Sequence, residues 1–390
     1  MNTNCEAISN TRRVAVLVPK YGLVGGAEQF AFQVTERLAA TTPYEFHVFA
    51  NQWKSAEGSR VVFHKVPMIR FPRFLRPLSF AWFARQLVAR GRFDLVHAHD
   101  RVFGADLISL HGAPHSFWVR DIRRKQPSLF DRAMCLLERR MLAAGGTTLF
   151  FPTSSIAMET FRREYAPLPG RWQVMHPGVD IARFASPDRK KCRAEIRARH
   201  GIGAADFLLL FVGMNFELKG LDTIIAAVVK AREQRPAAII RLLVVGRGNE
   251  EKYRGVARSH GIGDAVVFAG TQTDGIERYY RAAGALAMLS GFDTFGMVVL
   301  EAMAAGLPVI VGPNVGAKNV VEEGVNGFVL PDGRDAETAA ERIVRLLDGE
   351  RLRSMSAAAS RSAAGHDWER RVAELAAAYE SKLKEKAVDR

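Results

Sequence analysis

Two carboxylates separated by seven residues, Asp293 and Glu301, stand in the run Gly291-Phe292-Asp293-Thr294-Phe295-Gly296-Met297-Val298-Val299-Leu300-Glu301-Ala302-Met303. Asp293 falls just outside a predicted helix, near its positive end. Glu301 lies inside that helix, among residues that are almost all small or apolar. A buried carboxylate is costly unless it is paired or hydrogen-bonded, and a partner rich in hydroxyls, such as a ribose or hexose, satisfies such acceptors. The ordinary alternative has Asp293 capping the helix and Glu301 facing solvent. Near the N-terminus, Tyr21-Gly22-Leu23-Val24-Gly25-Gly26-Ala27-Glu28 follows the first predicted strand. Gly25 and Gly26 there let backbone amides approach an anion at a helix start. The spacing is not GxGxxG, which speaks against a dinucleotide dehydrogenase. A tight turn without a ligand is the plain alternative.

Histidines and bases form two further groups. His111 and His115 sit in Leu110-His111-Gly112-Ala113-Pro114-His115, with His97 and His99 upstream. No cysteine lies near them and no His-Glu-x-x-His occurs, so no metal is expected. A cleft-lining role for His111 stands beside that of a core histidine with a satisfied ring. Arg70, Arg73 and Arg76 alternate with Phe71, Phe74 and Leu75. Phe117-Trp118 precedes Arg120, Arg123, Arg124 and Lys125, and a helix is predicted from Ser128. That helix spaces Leu129, Ala133, Leu137 and Met141 four apart, with Arg132, Arg139 and Arg140 elsewhere. It suits an anionic membrane surface and, equally, a core-facing helix with a solvated basic side.

Short β-branched runs alternating with helical stretches position these residues and predict parallel α/β units. The first series has strands over 14–18, 46–49, 61–66, 94–98 and 148–151, with helices over 27–40, 78–89, 129–142 and 156–164. The second has strands over 207–212, 241–245, 265–268, 285–289 and 308–311, with helices over 221–231, 250–259, 276–282, 297–305 and 336–347. Each series can close one doubly wound domain. The boundary is expected near His176-Pro177-Gly178-Val179-Asp180, followed by a polar, charged stretch to about Gly203. An N-terminal domain of 1–175, a C-terminal domain of 176–366 and a final helix over 367–390 packing back on the first domain result.

A chain of 390 residues with 48% hydrophobic composition can bury two cores. Its longest apolar runs are far shorter than the ~20 residues of a membrane span, and no secretory signal is expected. Cys5, Cys135 and Cys192 form no framework, which fits a reducing cytoplasm. The net charge of +14 suits an acidic partner. No helix-turn-helix, RNP or zinc-finger pattern points to nucleic acid.

Taken in order, these pieces resemble glycosyltransferase family 4. Asp293 and Glu301, followed by Ala302-Met303-Ala304-Ala305-Gly306-Leu307-Pro308, resemble its E-x7-E signature. Gly25-Gly26-Ala27-Glu28, Asp94-Leu95-Val96-His97-Ala98-His99, His176-Pro177-Gly178-Val179-Asp180, Lys219-Gly220, Val244-Val245-Gly246 and Asn326-Gly327-Phe328 fall in the family's order. The resemblance implies a retaining enzyme of the GT-B fold: two Rossmann-like doubly wound domains facing a central cleft. By the same resemblance Asp293 touches the transferred sugar, Glu301 the ribose, and the amides of Phe295, Gly296 and Met297 the diphosphate. His111 matches the N-terminal-domain histidine or aspartate near the transferred sugar.

Two departures stand out. Asn215 occupies the place of a phosphate-binding Arg, with Lys219 retained and Arg247 available to compensate, and Asp293 replaces the first Glu. A lone Lys supplies a point charge without the Arg fork. No Asp-x-Asp occurs, so Lys219 and helix amides, not a metal, would neutralise the diphosphate. Similarity to the lipopolysaccharide core glucosyltransferases implies a UDP-hexose donor, glucose foremost. It also implies a glycolipid or lipopolysaccharide-core acceptor, and peripheral attachment to the inner face of the plasma membrane through Arg120, Arg123, Arg124 and Lys125. A GT-B sugar-nucleotide epimerase and a non-catalytic basic membrane- or polyanion-binding protein are the rival readings.

Overall fold

The computed structural model describes residues 11–23 and 25–388, so Val24 of the glycine turn, Cys5 and the last two residues of the expected final helix lie outside the described residues. The chain divides into two compact units. The N-terminal unit runs to Thr153, resumes over Ala157–Met175 and takes in the C-terminal stretch from Arg371. The C-terminal unit comprises Ser154–Ile156 and His176–Arg370.

The N-terminal unit is built on a seven-stranded parallel sheet in the order β5-β3-β1-β6-β7-β8-β9. Its strands are β1 (Arg13–Leu17), β3 (Glu45–Ala50), β5 (Val62–Lys65), β6 (Leu95–Ala98), β7 (Leu107–Leu110), β8 (Leu149–Pro152) and β9 (Arg171–Trp172). β2 (Lys20–Tyr21) and β4 (Gln52–Trp53) pair separately. Its helices are α1 (Gly26–Thr41), α2 (Leu75–Arg90), the single turn α3 (His115–Phe117) leading into a π-helical stretch Trp118–Ile122, α4 (Leu129–Ala143) and α5 (Ser155–Tyr165). The strand order reverses between β1 and β6, and the loops after those strands flank the switch point where doubly wound sheets bind ligands.

The C-terminal unit repeats the plan with six parallel strands in the order β12-β11-β10-β13-β14-β15. These are β10 (Phe207–Met214), β11 (Ile240–Arg247), β12 (Val266–Gly270), β13 (Ala285–Met288), β14 (Val309–Val311) and β15 (Gly327–Val329). Around them lie α6 (Ile181–Ala185), α7 (Arg189–Arg199), α8 (Leu221–Gln234), α9 (Glu250–Ser259), α10 (Ile276–Ala282), α11 (Met297–Ala304), α12 (Ala336–Arg345) and α13 (Gly349–Ala364). Leu208, Leu210, Leu243 and Leu286 pack on one face of the sheet, and Leu209, Leu242, Val244 and Ala285 on the other. Burial on both faces explains why these strands read as continuous apolar runs.

Two segments outside the sheets complete the units. The polar, charged stretch after Asp180 carries α6 and α7. Asp188 accepts the Lys191 amide at 2.9 Å and caps α7, whose Cys192 and Ile196 are buried. The final helix α14 spans Trp368–Val388. From Arg371 on it belongs to the N-terminal unit, where the Tyr379 hydroxyl meets His97 Nδ1 at 2.7 Å and Lys386 meets Asp106 at 2.8 Å.

Candidate functional site

In the C-terminal unit two loops at the switch point are stitched together. After β10 the chain turns through Asn215, whose left-handed φ of 65° is one that Asn tolerates better than most residues. The Asn215 carbonyl accepts the Lys219 amide at 3.2 Å, and its side-chain oxygen accepts the Leu218 amide at 3.3 Å. The Leu218 carbonyl accepts from Ser290 Oγ and from the Gly291 amide, both at 2.9 Å. These bonds tie the lysine loop to the loop after β13. Gly220 follows with φ 75°, and a Cβ there would lie 2.2 Å from the Leu289 carbonyl oxygen. Only glycine permits that approach.

The outcome is an ion pair between Lys219 Nζ and Asp293 Oδ2. The other Asp293 oxygen accepts the Phe295 amide at 3.1 Å, and the Asp293 backbone is pinned between Asn314 and Gly316. Gly296, at φ 90°, then starts α11. The Phe295 amide, expected to bind phosphate, is therefore engaged by Asp293. The amides of Gly296 and Met297 sit at the helix start, where an α-helix leaves its donors open. Asp293 does not cap the helix; no side chain does.

Glu301 is half-buried rather than exposed. Tyr280, fully buried in α10, donates its hydroxyl to Glu301 Oε2 at 2.6 Å. Burial pushes the Glu301 carboxyl above its ordinary value, against the pull of the Tyr280 bond and the Arg183 charge. Arg247 is exposed at the end of β11, and its carbonyl accepts the Asn215 amide at 2.9 Å. The C-terminal unit thus gathers Asn215, Lys219, Arg247, Asp293, Phe295, Gly296, Met297 and Glu301 around the ends of β10, β11 and β13. Tyr280 and Ser290 are the participants that the sequence did not single out. An apolar helix carrying one glutamate requires a buried partner, but nothing in the sequence says which hydroxyl supplies it.

The N-terminal unit holds the other candidates. Gly25, at φ 149°, precedes α1, and Gly26 opens it. His111 follows β7; its Nε2 lies 3.2 Å from His99 Nδ1, and the two rings stack. Burial pushes the His111 ring down to about 4 and the His97 ring to about 3, so both are neutral at pH 7. His97 also meets Ser109 Oγ at 2.9 Å. Gly26, His99 and His111 line one cavity of about 560 Å³. Among the described residues no group of three or more His, Cys, Asp or Glu could hold a metal ion.

The basic stretch is only partly free. Arg120 forks onto Glu164 at 2.6 and 3.2 Å and pairs with Asp121, and Lys125 pairs with Asp131 at 3.0 Å. Neither is the uncommitted base the sequence suggested. Arg123 and Arg124 are exposed. Along α4, Ala133, Leu137 and Met141 face the core, whereas Leu129 is 66% and Leu136 45% exposed, beside exposed Arg132, Arg139 and Arg140.

Residues 24–183 match the family described as Glycosyltransferase Family 4, and residues 193–363 match Glycosyl transferases group 1. The chain is 31% identical to a D-inositol 3-phosphate glycosyltransferase of Salinispora arenicola, over 75% of this chain and 69% of that one. The chain belongs to glycosyltransferase family 4. Another relative in this family is a GDP-mannose-dependent alpha-(1-6)-phosphatidylinositol monomannoside mannosyltransferase of Mycobacterium tuberculosis, 29% identical over 88% of this chain and 90% of that one. The fold also matches the crystal structure of WaaG, a glycosyltransferase involved in lipopolysaccharide biosynthesis. The TM-score is 0.75 at 23% identity, covering 93% and 98% of the two chains. As a family 4 enzyme the chain is a hexosyltransferase with two Rossmann-like domains of the GT-B type, and it takes a nucleotide-sugar donor and a glycoconjugate acceptor.

Proposed function

We propose that this hexosyltransferase uses a UDP-hexose, glucose foremost, and transfers it with retention to a glycolipid or lipopolysaccharide-core acceptor at the inner face of the plasma membrane. One observation carries the donor assignment: the Lys219–Asp293 pair stands at the start of α11, whose next turn carries the half-buried Glu301. In this reading the diphosphate lies against the Gly296 and Met297 amides. Lys219 turns part of its charge from Asp293 to the phosphate oxygens, and Asp293 is freed to accept sugar hydroxyls. Glu301 accepts from the ribose. By the family resemblance His111 is the N-terminal unit's candidate for contact with the transferred sugar, and it is neutral at pH 7. Retention follows from front-side attack, the leaving phosphate helping to remove the acceptor proton, so no side chain forms a covalent intermediate. No metal or other cofactor enters this scheme.

Membrane attachment in this proposal rests on α4, whose outer face joins Leu129 and Leu136 to Arg132, Arg139 and Arg140. Each base near an anionic surface contributes about 1 kcal/mol. Among the described residues no helix is long and apolar enough to cross a membrane.

A thermal-shift screen against UDP-, GDP- and ADP-sugars tests the donor. The matching ligand at roughly 100 times its Kd stabilises by about 2.7 kcal/mol. Stabilisation by GDP-mannose alone would replace the UDP assignment with that of the mycobacterial relative. Release of free UDP only when an acceptor is supplied separates transfer from epimerisation.

A further inference from the structure

At the end of the C-terminal sheet opposite Lys219 and Asp293, where β10, β11 and β13 begin, lies a cavity of about 390 Å³. Phe207, Ile239, Leu346, Leu347 and Leu352 give it apolar walls. Arg193 and Arg197 of α7 stand on it four residues apart, and so on one face of that helix. Among the described residues no hydroxyl, amide or imidazole side chain lines it. Its one carboxylate, Asp206, is engaged: Oδ2 accepts Arg241 Nε at 3.2 Å and the Gly203 amide at 2.9 Å.

Neither arginine has a counter-ion among the described residues. Arg193 is half-buried and makes no hydrogen bond or ion pair with them. Arg197 is 4% exposed, and its Nη1 donates to the carbonyls of Gly203 and Asp206 at 2.5 and 3.0 Å. Its Nε is enclosed; Nη2, unpartnered and not enclosed, is the nitrogen that can meet a ligand. The one acidic residue of α7, Glu195, is taken by Arg199 at 3.0 Å and by Arg278. Arg189, one turn before Arg193, reaches the Ala283 carbonyl at 3.4 Å and no carboxylate among the described residues. Burial and the Arg193 charge bring the Arg197 guanidinium down to about 10, against the attraction of Asp206. Like charges four apart on a helix repel, and a guanidinium removed from water is costly without a charged partner. An anion bridging Arg193 and Arg197 offsets both penalties through charge-assisted hydrogen bonds.

We infer that this cavity binds an organic anion with a hydrocarbon body, its carboxylate or phosphate head between Arg193 and Arg197 Nη2 and its chain along Phe207, Ile239, Leu347 and Leu352. The volume falls within the roughly 300–1,000 Å³ of small-molecule sites. Two free guanidinium groups alone would suit inorganic phosphate, and apolar walls alone would suit a neutral chain. A sugar phosphate would leave its hydroxyls against walls that offer them no partner. The combination selects an amphiphilic anion of modest length. Because the donor loops leave the other ends of the same strands, the anion and the nucleotide occupy the C-terminal unit together. The inference goes beyond the donor reading and does not depend on it.

Calorimetric titration of the full chain with octanoate, acetate and 1-octanol, with octanoate kept below its micelle concentration, separates head from chain. Octanoate is expected to bind about tenfold more tightly than either of the others. Octyl phosphate is titrated beside it, and the tighter binder of the two identifies the head group. Arg193→Ala should remove about tenfold of the octanoate affinity and leave octanol unchanged. Ile239→Asp, which sets a charge on an exposed part of the apolar wall, should weaken octanoate and octanol alike. Arg197 is left in place because its Nη1 holds the turn before β10, and an unaltered melting temperature of each variant confirms that the fold is intact. Equal affinity for acetate and octanoate, absence of binding by octanoate and octyl phosphate alike, or an unchanged octanoate affinity in Arg193→Ala overturns the inference. Displacement of octanoate by UDP overturns it as well, since the anion would then sit among the donor loops. Octanoate binding to a wild type that fails to bind UDP overturns the donor reading alone.

Discussion

Glu301 combines two requirements that pull in opposite directions. Its carboxyl must accept hydroxyls, yet burial makes the charged form costly and raises its pKa, with only the Tyr280 hydroxyl and the Arg183 charge in opposition. A proton held more tightly in the folded state stabilises the fold below the ordinary value of 4.5, and that contribution is lost as pH rises through the raised folded value. Glu301→Gln keeps an acceptor for Tyr280 and removes the buried charge. Its melting temperature at neutral pH should equal or exceed that of the wild type, while Glu301→Ala and Glu301→Gln both lose turnover by about 10²-fold or more. Near-normal transfer by Glu301→Ala would remove the donor assignment. The histidines of the N-terminal unit behave in the reverse sense. His97 and His111 are pushed down to about 3 and about 4, so the unfolded chain binds more protons than the folded one between those values and 6.5. Each residue then costs about 1.4 kcal/mol of stability per pH unit of acidification in that window. Melting curves should fall steeply from pH 6.5 to 5 and less steeply in His111→Asn; a flat wild-type profile would mean that these rings are not held neutral.

At the level of elements, the donor site depends on where α11 starts. Gly296 holds φ 90°, and a Cβ there would lie 3.0 Å from Val315 Cγ1 and 3.1 Å from Met288. Gly296→Ala should cost about 1–2 kcal/mol for the left-handed backbone and weaken nucleotide binding by re-aiming the Gly296 and Met297 amides, as a UDP titration would show. A variant that loses stability but binds UDP normally would separate the turn from the site. This helix was legible because its apolar run begins directly after a glycine and contains a single carboxylate. Most long helices and the apolar strands were legible for the same reason, periodicity over enough residues. What escaped was short, masked by charge or, in the 16-residue α13 with its run of Ala and Ser, weakly patterned. β7 has four residues and β15 three, β9 is a two-residue pair, and α7 reads as a basic stretch because only Cys192 and Ile196 of its residues 189–196 are apolar and buried. Asp293 and Glu301 could be named from spacing and Lys219 from the family resemblance, whereas Tyr280 and Ser290 come from other elements and are set by packing. The stripe on α4 was ambiguous in sequence because a helix with both a buried face and a basic outer face satisfies either reading. Ala133, Leu137 and Met141 resolve it inward, and Leu129 and Leu136 outward.

Across the whole molecule, chain order and spatial unit part company at the C-terminus. α14 starts at Trp368, packed against Gly178 in the C-terminal unit, and from Arg371 becomes part of the N-terminal unit. There Leu375 and Tyr379 are buried, Lys382 donates to the Thr147 carbonyl at 2.5 Å, and Arg171 pairs with Glu385 at 2.6 Å. The most exacting of these contacts is Tyr379 with His97. His97 is fully buried, and its Nδ1 and Nε2 are both engaged, by Tyr379 and Ser109. Tyr379→Ala leaves a cavity and an unpaired ring nitrogen together, for which about 3–5 kcal/mol is the expected cost of the truncation. Because β6 carries His97 and pairs with both β1 and β7, the loss should spread through the centre of the N-terminal sheet. Hydrogen exchange is the appropriate measurement. Amides of β1, β6 and β7 should exchange faster in Tyr379→Ala, while those of β10 and β11 keep their protection. Equal acceleration in both sheets would show that the two units unfold as one, and that the terminal helix is not a part of the N-terminal unit in particular.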